Sequence, residues 1–137
     1  MKIYIDENFP EKLAHGLNLL QEPLNKLEKS PIEVLSIKDV FGAGAPDEEW
    51  IPKAGAEHAI VITQDYNIQR TRHQAALFRE HGLGIFFYRP PSNKGFGYWE
   101  MVLQIVNRWE EIKKLSFKTK APFAFRCSSR SKGFEAV

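Results

Sequence analysis

The first ten residues, MKIYIDENFP, constrain the fold of this chain more than any other stretch. Residues 3–5 form a short apolar run without charge, which predicts a strand that is buried on both faces. Asp6 and Glu7 follow at once, and Asn8 with Glu11 predicts a helix start with a capping box. Two carboxylates therefore lie at the carboxyl end of a buried strand, where ligands bind in open parallel sheets. The alternative is that Asp6 serves only the helix start.

Short apolar runs and helical patterns alternate along the rest of the chain. Further strands are predicted at residues 33–37, 59–63, 84–88 and 123–127. Helices are predicted after the first strand, from Asp47, over 68–81 and up to about Leu115. Such alternation predicts an α/β fold, a three-layer sandwich in which helices cover both faces of a mainly parallel sheet.

Two predicted helices carry apolar stripes that indicate which face meets the sheet. Leu20 continues the spacing of Leu13 and Leu17 on the first helix. Trp99 opens a stripe that reaches Trp109 on the last helix, so packing is the favoured role for Trp99.

The length of 137 residues favours a single domain that needs no disulfide or metal for its core. Cys127 is the only cysteine and cannot form an internal disulfide, which favours a reducing compartment. The chain shows no signal region and no apolar run that could span a bilayer. We therefore expect a cytoplasmic protein that does not engage membranes.

Charge is distributed unevenly along the chain. Residues 116–137 contain five basic side chains and one acid, whereas residues 1–115 carry a net charge of about −2. We therefore expect a domain over 1–115 and a basic C-terminal extension over 116–137, formed by a strand plus a tail. Either an anionic partner or simple solvation explains the basic extension, and both interpretations stay open.

Three acids are predicted at one edge of the sheet. Asp6 and Asp65 each follow a buried strand, and Asp47 lies at a helix start after the second strand. Carboxylates that converge repel one another unless a proton or a cation neutralises them. Oxygen ligands favour Mg²⁺ or Mn²⁺. Zinc is not expected, because Cys127 is alone and the four histidines, His15, His58, His73 and His81, show no ligand spacing.

Three short motifs, IDENFP at 5–10, GAPDEEW at 44–50 and VITQDYNI at 61–68, resemble the acidic motifs of the PIN-like domain family. The similarity is greatest to the branch related to VapC-type toxins and spans about residues 1–88. It implies a PIN fold and a Mg²⁺- or Mn²⁺-dependent ribonuclease, often the toxin of a toxin–antitoxin pair. A cognate antitoxin protein and an RNA substrate are then the expected partners, with a homodimer as a further assembly.

The resemblance carries three catalytic, metal-binding carboxylates over to this chain, namely Asp6, Asp47 and Asp65. Asn67 stands where many relatives have a further acid, which places a second metal in doubt. Glu7 and Glu48 are candidate substitutes for that ligand. The implied chemistry is in-line attack of a metal-activated water on a phosphodiester.

Basic and aromatic residues near the acids are the candidate RNA contacts. Arg70 and Arg72, with His73 beside them, follow the Asp65 motif, and a solvated helix face is the competing interpretation for Arg72 and His73. Lys94 precedes three aromatic residues, Phe96, Tyr98 and Trp99, a combination typical of single-strand binding.

Two other functions remain open from the sequence. A catalytically silent PIN-like module would bind RNA or protein, and the missing acid at Asn67 favours it. A structure-specific DNA nuclease would use the same metal chemistry, since nothing in the sequence indicates recognition of a 2′-hydroxyl.

Overall fold

The computed structural model describes residues 1–64, 68–92 and 94–137, with only the backbone of Ile68 and Gln69. The strands are β1 (Lys2–Ile5), β2 (Glu33–Ser36), β3 (Ile60–Gln64), β4 (Gly84–Arg89), β5 (Phe123–Ser128) and β6 (Glu135–Ala136). The α-helices are α1 (Glu11–Gln21), α2 (Ile37–Phe41), α3 (Asp47–Ala56), α4 (Ile68–Glu80) and α5 (Tyr98–Lys118). A 3₁₀ helix, Glu22–Leu27, directly follows α1.

In the described part of the chain, six strands form one sheet in the order β2-β1-β3-β4-β5-β6. Strands β1 to β5 are parallel, and β6 pairs antiparallel with β5. Strand β1 lies between β2 and β3, and Ile5 is level with both Ser36 and Ile62. The predicted mainly parallel α/β fold is therefore confirmed, and the carboxyl ends of β1, β2 and β3 lie at one edge of the sheet.

Successive residues of β1 pack into two cores on opposite faces of the sheet, as the two-residue period of a strand requires. Ile3 and Ile5 lie in one core with buried side chains of α1 and α5. Tyr4 lies in the other core with side chains of α2, α3 and α4. The sheet is thus covered on both faces, and its loops are left to form a site at the edge.

The end of the chain contributes to the same sheet. Strand β5 pairs with β4 along its whole length, and Phe125 stacks on Phe86 at 5.7 Å. Arg108 donates to the carbonyls of Ser128 and Ser131 and so ties the following turn to α5. The division of the chain at residue 115 stays a prediction, while β5 and β6 belong to the central sheet.

The prediction of which helix faces are buried was partly wrong. Leu13 and Leu17 are buried, but Leu20 is 68% exposed. On α5, Trp109 is buried, whereas Trp99 is 72% exposed and Val106 is also exposed. The buried apolar residues of α5 are instead Ile105, Trp109 and Ile112, an i, i+4, i+7 row that packs in the core on the sheet.

Candidate functional site

Asp6 is the first residue after β1 and is only 5% exposed. Its backbone N–H continues the sheet by donating to Ile62 O at 2.9 Å, so the backbone that carries the carboxylate is fixed. Oδ1 of Asp6 accepts a hydrogen bond from the backbone N–H of Glu7 at 2.7 Å. Oδ2 accepts one from the Thr63 hydroxyl at 2.6 Å. A nearly buried carboxylate is thus held in one orientation at the carboxyl end of a central strand.

A polar network joins the ends of β1 and β3 around this carboxylate. Asn8 donates through Nδ2 to Thr63 Oγ1 at 3.2 Å, and Gln64 donates through Nε2 to the Asn8 carbonyl at 2.7 Å. Oδ1 of Asn8 is buried and has no hydrogen-bond partner in the part of the chain that the structure describes. A buried oxygen without a donor is costly unless a ligand satisfies it.

These contacts replace the predicted capping box, which was wrong. Helix α1 begins at Glu11 after Pro10, and no side chain caps its first turn. The Asn8 side chain contacts Thr63 of β3. Glu11 Oε2 instead lies 3.5 Å from Lys38 Nζ. The Asn8 amide therefore belongs to the strand-end network, since Thr63 offers its hydroxyl within reach.

The environment of Asp6 opposes its ionisation. Burial raises the pKa of the Asp6 carboxyl above its usual value, and the nearby charge of Asp47 raises it further. The hydrogen bonds from Thr63 and from the Glu7 backbone lower that pKa. The positive charge of Arg70 also lowers it. Asp47 and Arg70 thus both lie close enough to influence Asp6.

Asp47 is the first residue of α3 and is half-buried. The helix begins at Asp47 as predicted, and Pro46 occupies the capping position. Asp47 Oδ1 accepts a hydrogen bond from Trp50 Nε1 at 3.1 Å, and Oδ2 accepts one from Gln74 Nε2 at 3.3 Å. The carboxylate is therefore oriented by both α3 and α4, as a metal ligand or a charged active-site group needs to be.

The two candidate substitute acids are exposed. Both carboxylate oxygens of Glu7 accept from the Gly44 N–H, at 3.2 and 3.1 Å. Glu48 forms an ion pair with His73, with Oε1 and Nε2 2.9 Å apart. Glu7 thereby holds the loop before α3 near the end of β1. Asp65 and Asn67, the other predicted ligands, lie outside the described residues.

The predicted RNA contacts are surface side chains. Arg70 and Arg72 are exposed on the first turns of α4, and Lys94 is exposed in the loop after β4. Tyr98 is 51% exposed at the start of α5 and contacts the Trp99 ring edge-on, with centroids 5.4 Å apart. All four side chains are accessible to a substrate.

Two predictions about the neighbouring aromatic residues were wrong. Phe96 is buried in the core beneath α5 and is not available to stack on a base. Trp99, which we expected to pack in the core, is exposed and lines a shallow groove between α1 and α5 with Leu20 and Val106. The exposed aromatic surface is therefore Tyr98 and Trp99.

A second group of potential ligands lies beside the predicted site. Glu11, His15 and Asp39 bring one ligand atom each within 4.8 Å of one another, and among the described residues no other such group of three is found. The spacing of the histidines in the sequence did not indicate this group. Only Glu11 is near His15 in sequence, and the approach of Asp39 depends on α2 packing next to α1.

The fold and the site define an α/β protein with acidic side chains at the carboxyl ends of its parallel strands. This chain belongs to the PIN-like domain family, because a family model described as a PIN like domain matches residues 1–89, more than half of its length. A search of curated proteins and a search of solved structures found no significant match. PIN-like domains are generally nucleases that use divalent metals, so the family indicates a hydrolase.

The residues around Asp6 fit a hard divalent cation. A nearly buried carboxylate and a buried amide oxygen without a partner, Asn8 Oδ1, flank Thr63. Oxygen donors of this kind suit Mg²⁺ and Mn²⁺.

None of the helices that the structure describes combines the length and the apolar character needed to cross a membrane.

Proposed function

We propose that this protein is a Mg²⁺- or Mn²⁺-dependent endoribonuclease that hydrolyses RNA phosphodiester bonds. The observation that carries the proposal is Asp6, a nearly buried carboxylate fixed at the end of β1 in a PIN-like fold. The proposed catalytic carboxylates are Asp6, Asp47 and Asp65. We further propose that the protein works in the cytoplasm.

The protein groups supply an oriented anionic pocket. Burial makes an isolated charge on Asp6 unfavourable, so a cation next to the carboxylate would stabilise its ionised form. A divalent ion bound there would activate a water molecule and offset charge on the phosphate and the leaving oxygen. Asn8 Oδ1 is a neutral oxygen donor for such an ion, and Glu7 and Glu48 are acids that lie on the rim.

Arg70 is the best candidate for holding the phosphate. It lies in the first turn of α4, it is exposed, and its charge acts on Asp6. A phosphate bridging the metal and a guanidinium would be bound by charge-assisted hydrogen bonds. Arg72, Lys94 and Tyr98 extend this surface for neighbouring nucleotides.

The direct test is cleavage of a labelled single-stranded RNA by the purified protein with Mn²⁺. We expect cleavage that EDTA abolishes and that Asp6→Asn removes without changing the circular dichroism spectrum. Glu33→Gln is the matched control, because Glu33 is an exposed acid at the amino end of β2, at the opposite edge of the sheet from Asp6. Full cleavage by Asp6→Asn would refute the proposal, and cleavage confined to a DNA of the same sequence would identify a DNA nuclease.

A second variant pair tests the phosphate contact. Arg70→Ala should slow cleavage by about tenfold or more, because a hydrogen bond to a charged group contributes ~1.5–3 kcal/mol. Arg79→Ala removes an exposed arginine from the last turn of the same helix and should leave the rate unchanged. Equal rates for the two variants would remove Arg70 from the site.

We infer further that the protein is the toxin of a VapC-related toxin–antitoxin pair. The groove between α1 and α5 supports a protein partner, since it exposes Leu20, Trp99 and Val106. This proposal expects a small antitoxin protein encoded beside this reading frame, and its co-expression with the chain should yield a complex that Trp99→Ser weakens. Val40→Ser, at an exposed apolar residue of α2, is the control. A homodimer through the groove would instead appear as a doubled mass in the protein alone.

A further inference from the structure

The group of Glu11, His15 and Asp39 lies outside the site proposed for catalysis and shares no residue with it. Glu11 and His15 are one helical turn apart on α1, so their side chains project from the same face. Asp39 comes from α2, three residues after Ser36, which is level with Ile5 in the sheet. The group is therefore at the same edge of the sheet as Asp6, on the side of β2.

The group places two carboxylates, those of Glu11 and Asp39, close to each other. His15 Nε2 and Asp39 Oδ2 form a hydrogen bond, and this contact lowers the pKa of Asp39. Two carboxylates that meet need a proton or a cation between them. Lys38 Nζ lies 3.5 Å from Glu11 Oε2, and the Lys38 side chain is about half exposed. A metal cation bound by the group would therefore take the place of the Lys38 ammonium next to Glu11.

The donor set differs in kind from that around Asp6. It combines one imidazole nitrogen with two carboxylate oxygens, a mixture that suits zinc and related transition ions, whereas Mg²⁺ prefers oxygen ligands and retained waters. All three side chains are partly exposed, so an ion could enter without unfolding and water could complete its coordination.

We propose that Glu11, His15 and Asp39 form a second metal site, which takes Zn²⁺ and links α1 to α2. The bound ion would fasten α2 against α1, and with it the chain that leads to Gly44, whose N–H contacts Glu7. The role is structural and does not require that the protein is a nuclease.

Equilibrium dialysis of the full chain against Zn²⁺, with Mg²⁺ in large excess to saturate oxygen-only sites, tests the proposal. We expect the wild-type protein to bind one Zn²⁺ and His15→Gln to bind it at least about tenfold more weakly. Asp39→Asn should weaken binding as well. His81→Gln and Glu33→Gln are the matched controls and should bind as the wild type does, since neither residue is part of the group or of the site around Asp6.

Two further readings identify the ligand. Co²⁺ in place of Zn²⁺ should give a visible absorption band that His15→Gln abolishes and His81→Gln retains. Zn²⁺ should also raise the melting temperature of the wild type but not of His15→Gln, because only the folded protein presents the site. The proposal is overturned if the wild type binds no Zn²⁺ in excess Mg²⁺, or if His15→Gln and His81→Gln bind it equally. RNA cleavage does not enter any of these readouts, so the nuclease proposal can fail while this one stands.

Discussion

Replacing Thr63 by valine should weaken the fold by removing the hydroxyl that holds Asp6. Thr63 is 1% exposed, and its hydroxyl donates to Asp6 Oδ2 at 2.6 Å and accepts from Asn8 Nδ2 at 3.2 Å. A hydrogen bond to a charged group contributes ~1.5–3 kcal/mol and a neutral one about 1 kcal/mol. Since valine has nearly the shape of threonine, we expect Thr63→Val to lower the free energy of unfolding by about 2–4 kcal/mol at neutral pH.

The size of this effect should depend on pH. Burial raises the pKa of Asp6 above 3.8, so this carboxyl favours the folded state most at low pH, and the benefit is lost as pH rises through the raised folded pKa. The hydrogen bond from Thr63 opposes that increase. Thr63→Val should therefore raise the pKa of Asp6 further, and its cost should be full at neutral pH and shrink as Asp6 is protonated.

Urea unfolding of wild type, Thr63→Val and Thr63→Ser at neutral and acid pH measures both effects. Serine keeps the hydroxyl and loses only a methyl group, so Thr63→Ser should cost about 1 kcal/mol at either pH. If Thr63→Val costs no more than Thr63→Ser, or if its cost is the same at both pH values, the hydroxyl does not support an ionised Asp6 and the reasoning fails.

Three further predictions test other parts of the account. Asp65→Asn should melt at or above the wild-type temperature without metal and gain less from Mn²⁺, and an equal gain in thermal melts would exclude Asp65 as a ligand. Cys127 should resist a thiol reagent until the protein unfolds, because it is buried and burial raises its pKa to about 12; labelling at the rate of a free thiol would show that β5 is not packed. Gln21→Leu should cost about 1–3 kcal/mol in urea unfolding. That loss is expected because Trp109 Nε1 and Lys113 Nζ both donate to Gln21 Oε1, and an unchanged midpoint would contradict the contact.

Local sequence was sufficient for the strands and for the edge at which the acids lie. The runs at 3–5 and 59–62 are apolar at every position, and Gly82, two residues after the end of α4, has a positive φ of 73°, which glycine adopts readily. Because parallel strands end at one edge, the position of Asp6 and Asp47 followed from the strand assignments.

Partners that are distant in sequence could not be predicted in the same way. Asn8 and Thr63 are 55 residues apart and meet because β1 and β3 are neighbours, an order that the alternation of strands and helices does not specify. His15 and Asp39 are 24 residues apart and meet because α2 packs beside α1. A glutamate one turn before His15 was the only local sign of that second group.

The faces of α5 show a different limit. This helix carries apolar residues on more than one side, so Trp99 and Trp109 fit a common stripe by spacing alone. Only the packing against the sheet shows that Trp109 is inside and Trp99 is outside. The exposed apolar side chains of α5 therefore support a partner surface and do not contribute to the core.

The central claim is that the acids at the strand ends hold a divalent cation, and paramagnetic broadening by Mn²⁺ tests it most directly. The experiment uses ¹⁵N-labelled His15→Gln protein, so that the second proposed metal site does not contribute. We predict that substoichiometric Mn²⁺ broadens the amide signals of Glu7, Asn8 and Glu48 more strongly than that of Glu33, which lies at the opposite end of β2, and that excess Mg²⁺ restores them. Broadening that is absent, or that is centred away from Asp6, would contradict the account.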